Sequence, residues 1–403
     1  MLAACQQKQT SAFDLIFLGT GTSGSVPNIS CLTAPPEEEP CQTCLSTLTP
    51  EGKKNIRRNT SAIVRVDAVG GKVYVATFDL HTASIRRLII VYLHLLRTIL
   101  IDTGKNFQAA ALEWFPKYGL RRIDAVLLTH GHADAINGLD DLRAWTLNSA
   151  IQPYIDLYVS QATLDEVKRA FPYLVSKEFA SGGGDVPAFK WHIIDAGVPF
   201  EIEGTGIQVL PFCVHHGRIF STPDVPNQAQ SITLYTPPPT LPSTPTRSGM
   251  STLADKVTPY ISYGFLIQGS FIYISDVSFI PDETWALLEE SRKCNGQPSI
   301  AVVDCLRLTK HTSHFGLREA ISTARRIGAV RSYCVGFEHV VSHASYEKIF
   351  GAVGGQDDKD RLTVTEQEGI GMIEPGDPIW IRPAYDGLQV TVLEGGIVKD
   401  NGY

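Results

Sequence analysis

The segment LLTHGHADAINGLDDLR, residues 127–143, is the feature that most limits what this chain can form. An apolar strand is expected at Ile123–Thr129, and His130, His132 and Asp134 follow it at intervals of two residues. Ligand sites of α/β proteins lie at the carboxyl ends of such strands. Imidazole and carboxylate groups are ligands of zinc, manganese and iron. The segment therefore predicts a metal site at the edge of an α/β sheet.

Four other acids and histidines also stand at the ends of expected apolar strands. They are Asp102 in TILID, His216 in VHHG, Asp276 in YISD and His339 in GFEH. Taken singly, each is more often a turn or capping residue than a ligand. Their ordered appearance along one chain is hard to explain without a common metal site. His215 stays open as an alternative to His216, because the two histidines are adjacent.

This ordered set resembles the metallo-β-lactamase superfamily over about residues 13–346. The resemblance implies an α/β protein folded as a four-layer αββα sandwich, with two divalent ions, zinc or manganese, at one sheet edge. It assigns the ion ligands to His130, His132, Asp134, His216, Asp276 and His339, with Asp276 bridging the ions. It also gives Asp134 and Asp102 catalytic roles, Asp102 by orienting a ligand.

Two further segments resemble one branch, the PhnP-type cyclic-phosphate phosphodiesterases. They are FLGTGTSGSVP, residues 17–27, and SHFGL, residues 313–317. By this resemblance His314 is a general acid that protonates the leaving oxygen. The expected activity is hydrolysis of a small, for example cyclic, phosphodiester by metal-activated water. A nucleotide cofactor is not expected: Gly19, Gly21 and Gly24 match G-x-G-x-x-G, but a Cys-bearing loop rather than a helix follows them.

The chain departs from this pattern at Ala135. Many superfamily members have HxHxDH, and the last histidine completes the ligands of the second ion. Here Ala135 takes that place. Asp140, Asp141 or a water molecule are the replacements that stay open. We expect two ions, with the second bound more weakly.

Three cysteines suggest a second kind of metal site. Cys31, Cys41 and Cys44 form C-x₉-C-x₂-C. Three thiolates and a histidine make a closed tetrahedral zinc site. In the resembling enzymes a structural zinc of this kind holds the N-terminal loop, and we expect His343 as the fourth ligand. Inert free thiols are the alternative, because the x₉ spacer is longer than is usual there.

The organisation expected along the chain is one main domain and a tail. A hydrolase domain is predicted over residues 1–354, with a Cys-bearing loop at 28–59 and a Pro-rich insertion at 236–252. A β tail is predicted at 355–403. Helical periodicity predicts helices at 107–117 and 317–327.

Charge and hydropathy limit the partners. The net charge of −7 argues against nucleic acid as a partner, because a phosphate backbone requires a basic face. The apolar stretch Leu88–Leu96 is too short to cross a bilayer, which takes roughly 20 residues. The N-terminus does not resemble a signal peptide, so a cytoplasmic or nuclear location is expected. We expect a small-molecule phosphodiester as substrate, no membrane partner, and a homodimer as one oligomeric option.

Three other functions stay open at this point. A tRNA 3′-processing endonuclease of the same superfamily would also use a strand-end aspartate and a general-acid histidine, but no basic insertion is visible. A thioester or lactone hydrolase is the second alternative, since one fold serves many reactions. A metal-binding protein without catalysis is the third, because of Ala135.

Overall fold

A computed structural model describes residues 12–79, 84–219, 258–356 and 362–403, without the side chains of 68–95. Fifteen strands in these ranges form two mixed sheets. The first sheet has the order β15-β14-β1-β2-β3-β4-β5-β6, with β1 (Phe13–Gly19), β2 (Ser61–Asp79), β3 (Ser84–Ile101), β4 (Ala125–Leu127), β5 (Ile155–Val159), β6 (Phe189–Ile193), β14 (Gln389–Val392) and β15 (Val398–Asp400). The second has the order β13-β12-β11-β10-β9-β8-β7, with β7 (Phe200–Glu201), β8 (Gln208–Ile219), β9 (Thr258–Ile267), β10 (Phe271–Ile274), β11 (Ile300–Asp304), β12 (Arg331–Val335) and β13 (Ile381–Pro383).

Helices cover the outer faces of both sheets. They are α1 (Ile29–Leu32), α2 (Gln42–Ser46), α3 (Phe107–Lys117), α4 (Ala133–Ile136), α5 (Arg143–Thr146), α6 (Gln161–Ala170), α7 (Pro172–Val175), α8 (Asp282–Asn295), α9 (Leu317–Ile327), α10 (His343–Val353) and α11 (Val364–Gly371). Short 3₁₀ turns lie at Lys53–Asn55, Leu139–Leu142, Leu147–Ser149 and Lys177–Phe179.

Strand alternation sets up three apolar cores. In β1, Leu15 and Phe17 point between the sheets, whereas Ile16 and Leu18 point outwards. Alternation of this kind, with both faces apolar, is typical of a strand that is buried on both sides. The outward face packs on helices such as α3, and the outer face of the second sheet packs on α9 and α10. The layers are therefore helix, sheet, sheet and helix, and the expected αββα sandwich is confirmed.

The last segment of the chain completes both sheets. β13 pairs with β12 in the second sheet, while β14 pairs with β1 in the first. Residues 355–403, expected as a β tail, therefore contain α11 and strands of both layers. The segment is joined to the main fold by hydrogen-bonded strands, not only by the chain.

Two expected features fall partly or wholly outside the described residues. The Pro-rich insertion at 236–252 lies in the undescribed range 220–257. The apolar stretch at 88–96 lies in β3, which pairs with β2 from Ala62↔Ile101 to Asp79↔Ser84. No helix in the described ranges is both long and apolar enough to cross a bilayer.

The carboxyl ends of the parallel strands converge at one edge. β3 and β4 run parallel in the first sheet, and β10 and β11 run parallel in the second. Asp102 follows β3 with φ of 59°, and Asp276 follows β10 with φ of 53°. Residues other than glycine rarely adopt this left-handed backbone conformation, and those that do cluster at functional sites. The two sheets thus present one strained aspartate each at the same edge.

Candidate metal centres

Three histidines meet at this edge. His130 follows β4, His132 precedes α4, and His216 lies in β8. One ring nitrogen of each lies within 4.8 Å of the others, and the ring centroids are 4.7, 5.0 and 5.1 Å apart. His216 reaches the cluster because the register of β8 shifts between His215 and Arg218, as in a β-bulge that redirects a side chain. His215 instead packs its ring on Phe279, 5.3 Å away.

Hydrogen bonds orient two of these rings. Thr129 donates its hydroxyl to Asp102 Oδ2 at 2.8 Å, so its oxygen accepts from His130 Nδ1, also at 2.8 Å. His216 Nδ1 donates to the carbonyl of Ser313 at 2.7 Å. Each ring therefore carries its proton on Nδ1 and has a free lone pair on Nε2. Asp102 thus acts on His130 through Thr129, which agrees with the orienting role expected for it.

The cluster has the properties of a zinc site. His130 Nε2 is buried and makes no hydrogen bond. Burial, the largest effect, lowers the pKa of His130 to about 3, so its ring stays neutral and able to coordinate. A buried polar atom without a partner is unfavourable unless something binds it. Three imidazoles that leave a fourth direction open are the ligand set of catalytic zinc sites, so His130, His132 and His216 fit such an ion.

Two aspartates border the three histidines. Asp276 and His314 form a second possible ion-binding group with His216. Burial by itself raises the pKa of Asp276, but the surrounding histidines lower it below its ordinary value. Asp134 Oδ1 is buried without a hydrogen bond, 3.9 Å from His130 Nε2. Both carboxylates are therefore placed to face a cation.

His314 is paired with an aspartate that the sequence analysis missed. Asp304, the last residue of β11, accepts from His314 Nδ1 at 3.0 Å. Burial opposes a positive charge on this ring, but the charge and hydrogen bond of Asp304 outweigh it and raise the pKa of His314 to about 9. A signal was present, because Asp304 ends IAVVD as Asp102 ends TILID.

A cavity of about 370 Å³ opens beside the cluster. Its wall contains His132, His216, Gly217, Arg218, Ile219, Tyr260, Thr312 and Ser313. Tyr260, also missed by the sequence analysis, stacks on His132 with ring centroids 4.4 Å apart and accepts from the amide of Gly131. The wall thus combines Arg218 and polar groups with apolar ones such as Ile219, as is common in small-molecule sites.

A second cluster consists of Cys31, Cys41, Cys44 and His339. His339 Nδ1 lies 3.4 Å from the sulfur of Cys31 and 3.4 Å from that of Cys41. His339 Nε2 faces the side-chain oxygen of Asn28 at 3.2 Å, so its lone pair is on Nδ1, towards the thiols. Burial alone would raise the pKa of Cys41, but hydrogen bonding with His339 outweighs burial and lowers this pKa to about 7. The four donors fit a closed zinc site.

This cluster corrects two assignments. His339 was expected at the active site, but it lies with the cysteines. His343 was expected with the cysteines, but its Nε2 lies 3.0 Å from the hydroxyl of Tyr403 and 3.3 Å from Glu347. The reason is the short loop after β12: it carries His339 towards α1 and α2, whereas His343 already lies in the first turn of α10, buried in the protein.

Comparisons with known proteins agree with this architecture. The Beta-lactamase superfamily domain matches residues 97–337. The Octanoyltransferase of Porphyromonas gingivalis (strain ATCC BAA-308 / W83) is 25% identical over 389 residues, which are 96% of this chain and 53% of that relative. The chain thus spans about half the length of this curated relative.

Two solved structures share the fold. The crystal structure of a new diphosphatase from the PhnP family has a TM-score of 0.55 and 21% identity, and covers 96% of this chain and 98% of its own. Zn²⁺-bound PqqB from Methylobacterium extorquens has a TM-score of 0.52 and 18% identity, with 93% and 99% covered. At these identities the likeness shows the fold alone. With more than half of its residues matched by the family and the histidine cluster at the expected edge, the chain belongs to the metallo-β-lactamase superfamily.

Proposed function

We propose that the protein is a metal-dependent hydrolase that cleaves a small phosphodiester, for example a cyclic one. The observation that carries this proposal is the placement of His314. Its ring centroid lies 4.8 Å from that of His216, and Asp304 holds it in the protonated form. A proton donor beside a site for a cation is what cleavage of a phosphodiester with a poor leaving group requires.

Each group of residues at this site has a separate role in the proposed hydrolysis. An ion on His130, His132 and His216 would act as a Lewis acid towards a phosphoryl oxygen and lower the pKa of water. Arg218 contributes a guanidinium to the wall of the cavity beside the histidines. His314 gives its proton from Nε2 to the departing oxygen, while Asp304 retains the hydrogen bond to Nδ1. Asp102 and Thr129 keep His130 in its coordinating tautomer.

The remaining expectations about ligands and location are part of this proposal. We propose zinc at the histidine cluster, with manganese as the alternative that imidazole and carboxylate ligands also accept. The net charge of −7 supports a small substrate over tRNA. A cytoplasmic or nuclear location and a homodimer complete the proposal.

A thioester hydrolase is the second candidate. The observation that favours it is the similarity to a relative named Octanoyltransferase, whose name refers to an acyl group. A tetrahedral intermediate of acyl transfer also carries negative charge that a cation would stabilise. The protonated His314 favours the first candidate, because an alkoxide leaving group needs a proton more than a thiolate does.

One substrate panel separates the two candidates. The full chain is freed of metal with a chelator and then supplied with Zn²⁺ or Mn²⁺. It is assayed with bis(p-nitrophenyl) phosphate, with a set of five-membered cyclic phosphates and with an octanoyl thioester. We expect hydrolysis of phosphodiesters that depends on added metal and is lost in His216→Ala. Metal-dependent turnover of the thioester alone would favour the second candidate. No turnover of any substrate by metal-loaded protein would favour the non-catalytic alternative.

A further inference from the structure

The active-site edge contains a small void beyond the three histidines. Its wall consists of Gly21, Thr60, Asp102, Asp134, Ala135 and Asp276. In a dinuclear site of the kind that the superfamily resemblance implies, the second ion would lie here, beside Asp134 and Asp276. None of these six residues carries a nitrogen or sulfur ligand in its side chain.

Most of the oxygen atoms around this void already have partners. Asp102 accepts at Oδ1 from the amide of Thr129 and at Oδ2 from its hydroxyl, at 2.9 and 2.8 Å. Thr60 donates its hydroxyl to the carbonyl of Gly21 at 2.9 Å. Ala135 contributes a methyl group. Only Asp134 and Asp276 remain as side-chain ligands.

Asp140 and Asp141, the possible replacements for a ligand at Ala135, and His339, the other expected ligand, have other partners. Asp140 is paired with Arg143 at 2.6 Å, and Asp141 lines a groove near Trp145. His339 lies with the cysteines. β12 ends near the void, but Gly336 follows it, and a side chain there would meet Asp304 Oδ1 at 2.3 Å. His314 lies near Asp276 and His216, but its Nδ1 donates to Asp304 and the ring is the proton donor of the proposed function, on which this step rests. Among the other side chains that the structure describes, no neighbouring strand supplies a third ligand.

We infer that the resting active site holds one ion, on His130, His132 and His216, and that the position beside Ala135 holds no resident second ion. Zinc sites in proteins have at least three protein ligands. Two carboxylates, one of them adjacent to the first ion, do not meet this requirement. The residues therefore disagree with the dinuclear arrangement, and Ala135 is the position where a ligand is missing.

Metal counting tests this inference without any substrate, so its outcome is independent of the bond that the enzyme cleaves. The full chain is loaded with zinc, freed of loosely bound metal and analysed by inductively coupled plasma mass spectrometry. We expect two ions per chain, one on His130, His132 and His216 and one on the cysteines with His339. Three tightly bound ions in the unmodified chain would overturn the inference.

A matched pair of variants tests the role of residue 135. Ala135→His adds an imidazole to the wall of the void and is expected to increase the count from two ions to three. Ala135→Ser changes the side-chain size little and adds no nitrogen, so its count is expected to stay at two. A folded Ala135→His protein that still binds two ions would contradict the assignment of residue 135 as the missing ligand.

A spectroscopic measurement covers the case in which Ala135→His does not fold. Mn²⁺ is placed in the active site of the unmodified chain, and its electron paramagnetic resonance spectrum is recorded. A single ion gives the spectrum of an isolated Mn²⁺, whereas two ions that share Asp276 give a spin-coupled spectrum. We expect the isolated form, and a spin-coupled spectrum would overturn the inference.

Discussion

Both candidate metal sites contain histidine ligands, but their surroundings differ. At the Cys31, Cys41, Cys44 and His339 cluster, four donors face one another and leave no coordination direction open. At the His130, His132 and His216 cluster there are three donors, and two of them, His132 and His216, line a cavity of about 370 Å³. Closed four-ligand sites stabilise a fold, whereas three-ligand sites leave room for a substrate. The difference supports our proposal of a structural ion at the first cluster and a reactive ion at the second.

The backbone around each cluster agrees with this division. The cysteine cluster joins the short helices α1 and α2 to the loop after β12, and so connects segments about 300 residues apart. The histidine cluster lies beside Asp102 and Asp276, both with positive φ. Positive φ at these two aspartates is typical of functional sites, where the surrounding structure holds an unfavourable backbone conformation. Substitutions in the histidine cluster should therefore change mainly activity, and substitutions in the cysteine cluster should change mainly stability.

The largest effect is expected from His216→Ala. Removal of one of three imidazoles should release the active-site ion and lower kcat/KM for bis(p-nitrophenyl) phosphate by about 10³-fold or more, since the ion supplies the Lewis acid. His215→Ala is the matched control, because that ring packs on Phe279 outside the cluster. Ion counts should fall by one only in His216→Ala. Equal activity in the two variants would remove His216 from the reactive cluster.

His314→Gln should have the next largest effect. Loss of the proton donor should lower kcat by about 10²- to 10⁴-fold for a substrate with an alkoxide leaving group. The loss should be much smaller for a p-nitrophenolate leaving group, which departs without a proton. Ion content should not change. Equal losses on both substrates would show that His314 does not act as the general acid.

Asp304→Asn should alter the pH profile. The raised pKa of His314, about 9, means that its acidic form is present below that pH and is lost as the pH rises through it. The descending limb of the pH–rate profile should therefore lie near pH 9. Without the carboxylate this limb should move towards neutral pH, and at pH 8 the variant should be about 30-fold slower if the pKa returns to the ordinary value of about 6.5. A limb that stays near pH 9 would show that Asp304 does not set this pKa.

Cys41→Ser should affect activity least and stability most. The variant should lose the ion of the cysteine cluster and melt at a lower temperature, because a structural ion contributes its binding free energy to folding. The folded fraction should keep its active-site ion and most of its activity. Cys213→Ser, outside the cluster, is the control. A loss of turnover as large as that of His216→Ala would contradict a purely structural role.

Much of the fold follows from local pattern. The periodicity of 107–117 and 317–327 predicted two helices with the bounds that the structure has, α3 and α9. Apolar runs that end in a polar residue marked β4 and the carboxyl ends of β3 and β10. In each case the side chains that define the element are close together in sequence, so local periodicity is sufficient to predict it.

The assignment of partners required the tertiary structure. His339 and His343 are four residues apart and follow the same strand, yet one reaches Cys31 and the other reaches Tyr403. Local sequence does not distinguish them, because their partners lie about 300 residues before and 60 residues after them. The pairing of His314 with Asp304 was missed although both residues follow recognisable patterns.

The sequence by itself determined the residue types at the strand ends and the histidine segment that begins the candidate site, and its resemblance to the superfamily implied the layered fold. Only the tertiary structure decided which histidine lies with the cysteines and which aspartate raises the pKa of His314. It also decided how few ligands surround the void at Ala135. Periodicity is a property of neighbouring residues, whereas a metal site is defined by distances between residues on different strands. Those distances exist only after both sheets have packed together.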